Sequence, residues 1–367
     1  MVVNEIALIN KRIRVKTMSN GENMTSASEH LVGLTLNEKW LVTEMHDPKT
    51  PGTGGYFSVN YFVKNLDTQK PAFLKALNLT RALNSSGDIT TNLNNLTSAY
   101  NFERDVLLKC KESKMSKVVV PLDHGTAEVT GHPLPKVPFI VFEKADGDIR
   151  RQIIEMGSFD IAWILRSLHH TATGLKQLHS KKIAHQDLKP SNVLVFSDDH
   201  KVADLGRSAD FHVETDTDHF QIPGDGSYAP PELYYEYRLR DNFENRFALD
   251  LYMLGSLIFF YFTKFSVNAL LQIELSKNGF VRSKNFEADL PYYLDAFQKC
   301  LSRLREDIEK IAPEFANDLV LYASQLCMPD PRKRGNPRNK PSSISQHSLV
   351  TFVSHFEALA KGAGCRK

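Results

Sequence analysis

The stretch from residue 183 to residue 206 constrains this chain more than any other. It reads Ile183-Ala-His-Gln-Asp-Leu-Lys-Pro-Ser-Asn-Val-Leu-Val, and then, after a short gap, Lys201-Val-Ala-Asp-Leu-Gly. Four polar groups, Asp187, Lys189, Asn192 and Asp204, stand among apolar, strand-like runs. Singly, Asp187, Asn192 or Asp204 would be an ordinary loop-capping residue. Together, between apolar strands, they are too many for that reading to hold.

The organisation around that stretch is two-part. The chain has 367 residues, which at roughly 100–200 residues per domain allows two domains or one two-lobed unit. Hydrophobic residues make up 42% and charged residues 24%, which excludes a disordered or fibrous chain. The net charge of +2 argues against a nucleic-acid binder, which needs a larger basic excess. Four cysteines, Cys110, Cys300, Cys327 and Cys365, are scattered with no C-x-x-C pair. They fit reduced thiols and a cytoplasmic setting rather than a disulfide or zinc framework. The longest apolar run, Leu251 to Thr263, falls short of the ~20 residues of a membrane span and reads as a buried core helix.

Residues 1–35 are polar and mixed and predict a flexible arm. From Trp40 the pattern becomes strand-like. Trp40 to Met45 and Tyr56 to Val63 form a hairpin around a glycine-rich turn, and Ala72 to Leu77 adds a strand. A helix is predicted around Tyr100 to Glu112, then strands at Lys117 to Leu122 and Val137 to Glu143. After Asp148 the apolar period lengthens to that of helices, beginning with Ile153 to Leu178. The predicted layout is a β-rich lobe over 36–144, a helical lobe over 145–360 and a tail over 361–367.

The 183–206 stretch resembles the catalytic loop and metal-binding turn of protein kinases, H-R-D-L-x-x-x-N and D-F-G. Further landmarks follow in the family's order, from about Leu34 to about Ala360. The resemblance implies an α+β, bilobal protein-kinase-like fold, with a small β-rich N-lobe holding one main helix and a larger, mostly helical C-lobe. It implies a serine/threonine protein kinase that transfers the ATP γ-phosphate to Ser/Thr hydroxyls of a protein substrate. Such transfer is mainly positioning plus charge neutralisation. Asp187 would orient the acceptor hydroxyl and take its proton. Lys189 would stabilise the transferred group. Asn192 and Asp204 would hold Mg²⁺, with Mn²⁺ as a substitute.

For the nucleotide, the resemblance assigns Gly52, Thr53, Gly54, Gly55 and Tyr56 to a phosphate-covering loop, with Val59 packing on adenine. Phe57 stands where a third glycine is usual. Lys75 matches the V-A-I-K lysine. A lysine inside an apolar strand needs a partner, and Glu103 is the candidate. Phe142 would guard the back of the adenine pocket, and the backbone of Glu143 and Ala145 would bond adenine. Asp148 would reach the ribose. Ala72 and Leu194 are placed with the nucleotide on the same grounds. Pro230-Pro231-Glu232 resembles A-P-E, Arg334 its arginine partner, and Asp250 the buried aspartate that holds the catalytic loop.

Three positions depart from the pattern. Gln186 replaces the H-R-D arginine, and glutamine cannot form a bidentate charged pair with phosphate. Leu205 replaces the D-F-G phenylalanine. Asp225 replaces a usual threonine and would pair with Lys189. Control through phosphate on Ser208, Thr215 or Thr217 is therefore expected to be weak. Two other classes share part of this pattern. A small-molecule phosphotransferase of this fold typically lacks the equivalents of Lys189, Glu232 and Arg334. A pseudokinase scaffold usually loses a lysine, aspartate or metal ligand, and none is lost here. The basic run Arg332, Lys333, Arg334, Arg338 and Lys340 reads as a solvated loop with one structural arginine rather than a nucleic-acid patch. The resemblance thus implies a protein substrate and ATP as partners, and the short apolar run predicts no membrane.

Overall fold

The computed structural model describes residues 25–46, 57–155, 160–214, 219–239, 241–339 and 345–364. The chain divides into two compact units, residues 1–104 with 120–144, and residues 105–119 with 145–367.

The first unit is built on period-two alternation. Its strands are β1 (Thr35–Leu36), β2 (Trp40–Met45), β3 (Ser58–Asn65), β4 (Pro71–Leu77), β5 (Pro121–Glu128) and β6 (Lys136–Glu143). They pair antiparallel in the order β1-β2-β3-β4-β6-β5. Trp40 and Val42, Tyr61 and Val63, Ala72, Leu74 and Ala76, and Val137, Phe139 and Val141 all fall on one face and make its core. Side chains alternate along a strand, so Lys75 lies on the other face of β4. A second cluster, Leu77, Ala82 and Leu96, sits beneath helix α1 (Thr80–Asn84) and helix α2 (Ile89–Glu112).

Three sequence expectations change here. The sequence predicts an arm over residues 1–35, yet Ala27 and Leu31 belong to the β core. Ser26 donates to Asn78 Oδ1 at 2.8 Å and accepts from Thr80 at 3.1 Å, so its polar neighbourhood is satisfied inside the fold. Composition counts such serines as solvated and misses their partners. Helix α2 also begins eleven residues before the expected Tyr100. Asp88 accepts the Thr91 N–H at 2.7 Å and caps the helix. Leu93, Leu96 and Tyr100, spaced three and four apart, then bury one stripe of an otherwise Asn/Thr-rich sequence. The strand expected at Lys117 to Leu122 starts instead at Pro121, and Val118 makes only an isolated bridge with Val202.

The second unit surrounds one apolar helix. The labelled elements are α3 (Ile149–Glu155), α4 (Ile161–Ser180), α5 (Asn242–Thr263), α6 (Val267–Lys277), α7 (Phe286–Glu309), α8 (Ala316–Leu326) and α9 (Val350–Gly364). Helix α9 runs through residues expected to be tail. Asp241 accepts from the Phe243 and Glu244 N–H groups and starts α5. Residues 243–263 are long and apolar enough to cross a membrane by composition, but they lie buried inside this unit. Short strands β7 (Gly147–Asp148), β9 (Val193–Phe196) and β10 (Asp199–Val202) form one sheet, and β8 (Ile183–Ala184) pairs with β11 (Ala209–Asp210).

Strand β10 carries a polar anomaly. His200 is fully buried, its ring edge-on to Trp163 at 4.7 Å, and neither ring nitrogen has a partner among the described residues. Burial and the nearby His170 push its pKa down to about 3, and burial and Lys117 push His170 down to about 4. Arg166 and Lys117 add to the effect on His200, while Asp199 opposes it. Both rings are thus neutral when folded and take up protons when unfolded. Their share of stability is complete above pH 6.5 and is lost as pH falls towards about 4 for His170 and about 3 for His200, at up to about 1.4 kcal/mol per pH unit for each ring. His200→Phe keeps the aromatic contact and removes the orphaned nitrogens. It is expected to raise stability by about 1 kcal/mol at pH 7.5 and by more at pH 5, read by urea unfolding. Equal or lower stability at both pH values would contradict the assignment.

Candidate active site

In the first unit, Lys75 is held by β4 between Asn60 of β3 and Ile140 of β6. Its Nζ donates to Glu103 Oε1 at 2.8 Å and to Oε2 at 2.9 Å. Glu103, on α2, is buried, while Lys75 keeps 30% of its side chain exposed. The pair expected from the sequence is formed.

The second unit assembles the polar constellation from the inside out. Asp250 of α5 is fully buried. Its Oδ2 accepts the His185 N–H at 2.8 Å and His179 Nε2–H at 2.7 Å, and its Oδ1 accepts the Gln186 N–H at 2.8 Å. His185 Nδ1 accepts the Asp187 N–H at 3.2 Å, so its proton is on Nε2, which donates to Ala203 O at 3.0 Å. That ring links the loop to the residue preceding Asp204. Gln186 and Asp204 both have left-handed backbones, with φ of +64° and +63°. For non-glycine residues this conformation persists only where surrounding bonds impose it.

Asp187 is then fixed on both oxygens. Oδ1 accepts the Asp225 N–H at 2.7 Å, and Oδ2 lies 3.2 Å from Lys189 Nζ and accepts from Asn192 Nδ2 at 3.3 Å. Asn192 Nδ2 also donates to Asp187 O at 2.8 Å, and its Oδ1 accepts from the Ser191 hydroxyl at 3.4 Å. Ala203 N donates to Asn192 O at 2.8 Å, so the β9–β10 hairpin ties Asn192 to the start of the Asp204 turn. Lys189 also reaches Asp225 at 3.6 Å, as the sequence predicted. Burial alone would raise the Asp225 carboxyl. The Ser227 hydroxyl and N–H together with Lys189 outweigh that and hold it below its ordinary range.

One amide oxygen and one carboxylate, Asn192 and Asp204, fit Mg²⁺, which binds few protein ligands and keeps waters and substrate phosphates. The other candidates fall as follows. Ala72 is buried in the β core, Val59 packs against that core, Phe142 is half-buried opposite Phe73, and Glu143 ends β6 exposed. Ala145 and Leu194 are half-buried in the second unit. Asp148 accepts the Arg151 N–H at 3.0 Å and so caps α3, while burial raises its carboxyl above the ordinary range. Gly52, Thr53, Gly54, Gly55 and Tyr56 lie outside the described residues, as do Thr215 and Thr217. Ser208 is buried and donates to Leu205 O at 2.7 Å, so its hydroxyl does not face solvent.

Three contributors were not seen in the sequence. His179 is the third donor to Asp250. Arg246 donates to Gln186 Oε1 at 2.8 Å. Gly224 touches the loop so closely that a Cβ there would lie 2.4 Å from Gln186 O and 2.7 Å from Asp187 Oδ1. Helical spacing hinted at none of these, because each partner is distant in the chain. The expected Glu232–Arg334 pair is present and bidentate, at 2.9 and 2.6 Å, with both side chains buried.

A β-rich unit with a Lys–Glu pair and a helical unit with an Asp–Lys–Asn loop together define the α+β, protein-kinase-like class. Residues 46–347 match the family described as "Protein kinase domain", and the chain belongs to the protein kinase family. It is 28% identical over 226 residues to serine/threonine-protein kinase PknL of Mycobacterium tuberculosis, covering 58% of this chain and 55% of PknL. It is 27% identical over 152 residues to an Aurora kinase of Debaryomyces hansenii, covering 41% of this chain and 34% of the relative. It is 25% identical over 192 residues to mitogen-activated protein kinase 5 of Oryza sativa, covering 50% and 46%. The chain therefore spans about half the length of these relatives or less.

The contact at Gly224 can be tested without any activity assay. Gly224→Ala forces Gln186 or Asp187 to move and is expected to cost about 2 kcal/mol. At Gly226 the added Cβ meets only the Tyr234 hydroxyl, at 3.3 Å, so Gly226→Ala should cost under about 1 kcal/mol. Denaturant unfolding of the two variants checks the difference. Equal losses would show that the close approach does not constrain the loop.

Proposed function

We propose that the chain is an ATP- and Mg²⁺-dependent serine/threonine protein kinase. The observation that carries this reading is the Asp187 carboxylate, bonded to the Asp225 N–H, Lys189 and Asn192 on a loop that Asp250 anchors. In this reading the acceptor hydroxyl attacks the γ-phosphorus of ATP, the bond to the leaving ADP oxygen breaks, and the hydroxyl proton passes to Asp187. The bonds from Asp225, Lys189 and Asn192 fix which way the carboxylate faces. Lys189 offsets negative charge on the moving phosphoryl group, and Lys75, oriented by Glu103, contacts the other phosphates. Bound Mg²⁺ would neutralise phosphate charge, with Asn192 Oδ1 and the Asp204 carboxylate as its protein ligands.

A protein acceptor is supported by Lys189 and by the buried Glu232–Arg334 pair, which small-molecule phosphotransferases of this fold typically lack. Retention of Lys75, Asp187, Asn192 and Asp204 supports an active enzyme over a scaffold. Serine/threonine relatives support the acceptor class. Dispersed cysteines, three of them buried and free, support a reducing, cytoplasmic setting.

Radiolabelled ATP incubated with the chain alone and with a host lysate, followed by phosphosite mapping, tests the reading. Asp187→Asn should lower transfer on the order of 10²-fold while ATP affinity stays within about 3-fold. Asp204→Ala should remove the Mg²⁺ dependence of ATP binding along with turnover. Unchanged turnover in Asp187→Asn, or transfer that survives EDTA, would overturn the mechanism.

A further inference from the structure

Gln186 directly precedes Asp187, and its side chain is used at both ends. Nε2 donates to Arg207 O at 3.1 Å, in the turn just after Asp204. Oε1 accepts from Arg246 Nη1 at 2.8 Å. Only 1% of Gln186 and 8% of Arg246 are exposed. The guanidinium also lies 5.9 Å from the centre of the Phe211 ring. Phe211 in turn stacks on Phe243 at 3.7 Å and donates its N–H to Lys182 O at 3.1 Å. One amide thus joins the catalytic loop, the segment after Asp204, and α5.

We propose that Gln186 and Arg246 form a positioning pair that holds the Asp187 loop in register with the 204–211 segment, without any added phosphate. This rests on the kinase reading. An amide suits the place because it is both acceptor and donor: its oxygen faces the cation and its NH₂ faces a carbonyl. An arginine at 186 has no acceptor to offer and would confront Arg246 in a buried setting. The sequence shows arginine missing at 186. The fold supplies a guanidinium there from α5, sixty residues on. Both are positioning residues in this proposal. They act through the backbone of Asp187 and of the turn that carries Asp204.

The test is a residue exchange in the full chain. Transfer from ATP to dephosphorylated casein and to the chain itself is followed at saturating Mg²⁺. Gln186→Leu is expected to lower kcat about 10-fold while KM for ATP changes less than about 3-fold, since Lys75 and Glu103 are untouched. Gln186→Arg should lose about 100-fold. Adding Arg246→Gln to it should recover at least about 10-fold, because the amide oxygen is returned from the other side. Amide hydrogen exchange at residues 186–188 and 207–210 should quicken in the single variants and slow again in the exchange variant. No recovery in the exchange variant, or full kcat in a folded Gln186→Leu, overturns the proposal. A wild-type chain that transfers no phosphate while showing the same exchange pattern overturns the kinase reading and, with it, the catalytic role of the pair. The tie itself would then be structural only.

Discussion

The site rests on one buried carboxylate. Asp250 has no contact with solvent, and its oxygens accept two consecutive backbone N–H groups and an imidazole N–H. A buried charge persists only when hydrogen-bonded, so the loop must fold onto it. The donors come from His185 and Gln186, the two residues before Asp187. Satisfying Asp250 therefore sets where Asp187 begins. It also imposes the left-handed turn at Gln186, which glutamine adopts against its own preference.

From that anchor the remaining groups follow by short steps. His185 reaches the carbonyl before Asp204, Asn192 reaches back to Asp187, and the bare Cα of Gly224 lets the Asp225 N–H approach. Carboxylates thus stand close together without a cluster of like charges, because Lys189 lies within reach of both Asp187 and Asp225. The buried Arg334–Glu232 pair, with Arg334 also bonded to the Met328 and Ala248 carbonyls, holds the segment beyond Tyr228. Its value lies in register more than in net stability, since desolvating two ions offsets much of their attraction.

How much of this was legible in sequence depends on where each interaction's partner lies. Asp187, Lys189 and Asn192 share one short motif, and the structure places them within hydrogen-bond reach of each other. Lys75 was legible because a lysine in an apolar strand demands an acid. Alternation gave the β core for the same reason that it gave the strands. The start of α2 was hidden, because Asn and Thr suggest loops and only three apolar positions mark the buried stripe. Ser26, His179 and Arg246 were hidden for a different reason. Each is an unremarkable residue locally, and its role exists only once Asn78, Asp250 or Gln186 has been brought to it.

The most direct test of the anchoring role is single-turnover phosphate transfer by Asp250→Asn in a folded chain. Asparagine keeps the shape but offers one acceptor oxygen, and it turns an NH₂ towards groups that are themselves donors. If the buried carboxylate sets the Asp187 loop, transfer should fall by about 100-fold or more, with ATP binding changed far less. A folded Asp250→Asn chain that transfers phosphate at the wild-type rate would contradict that role.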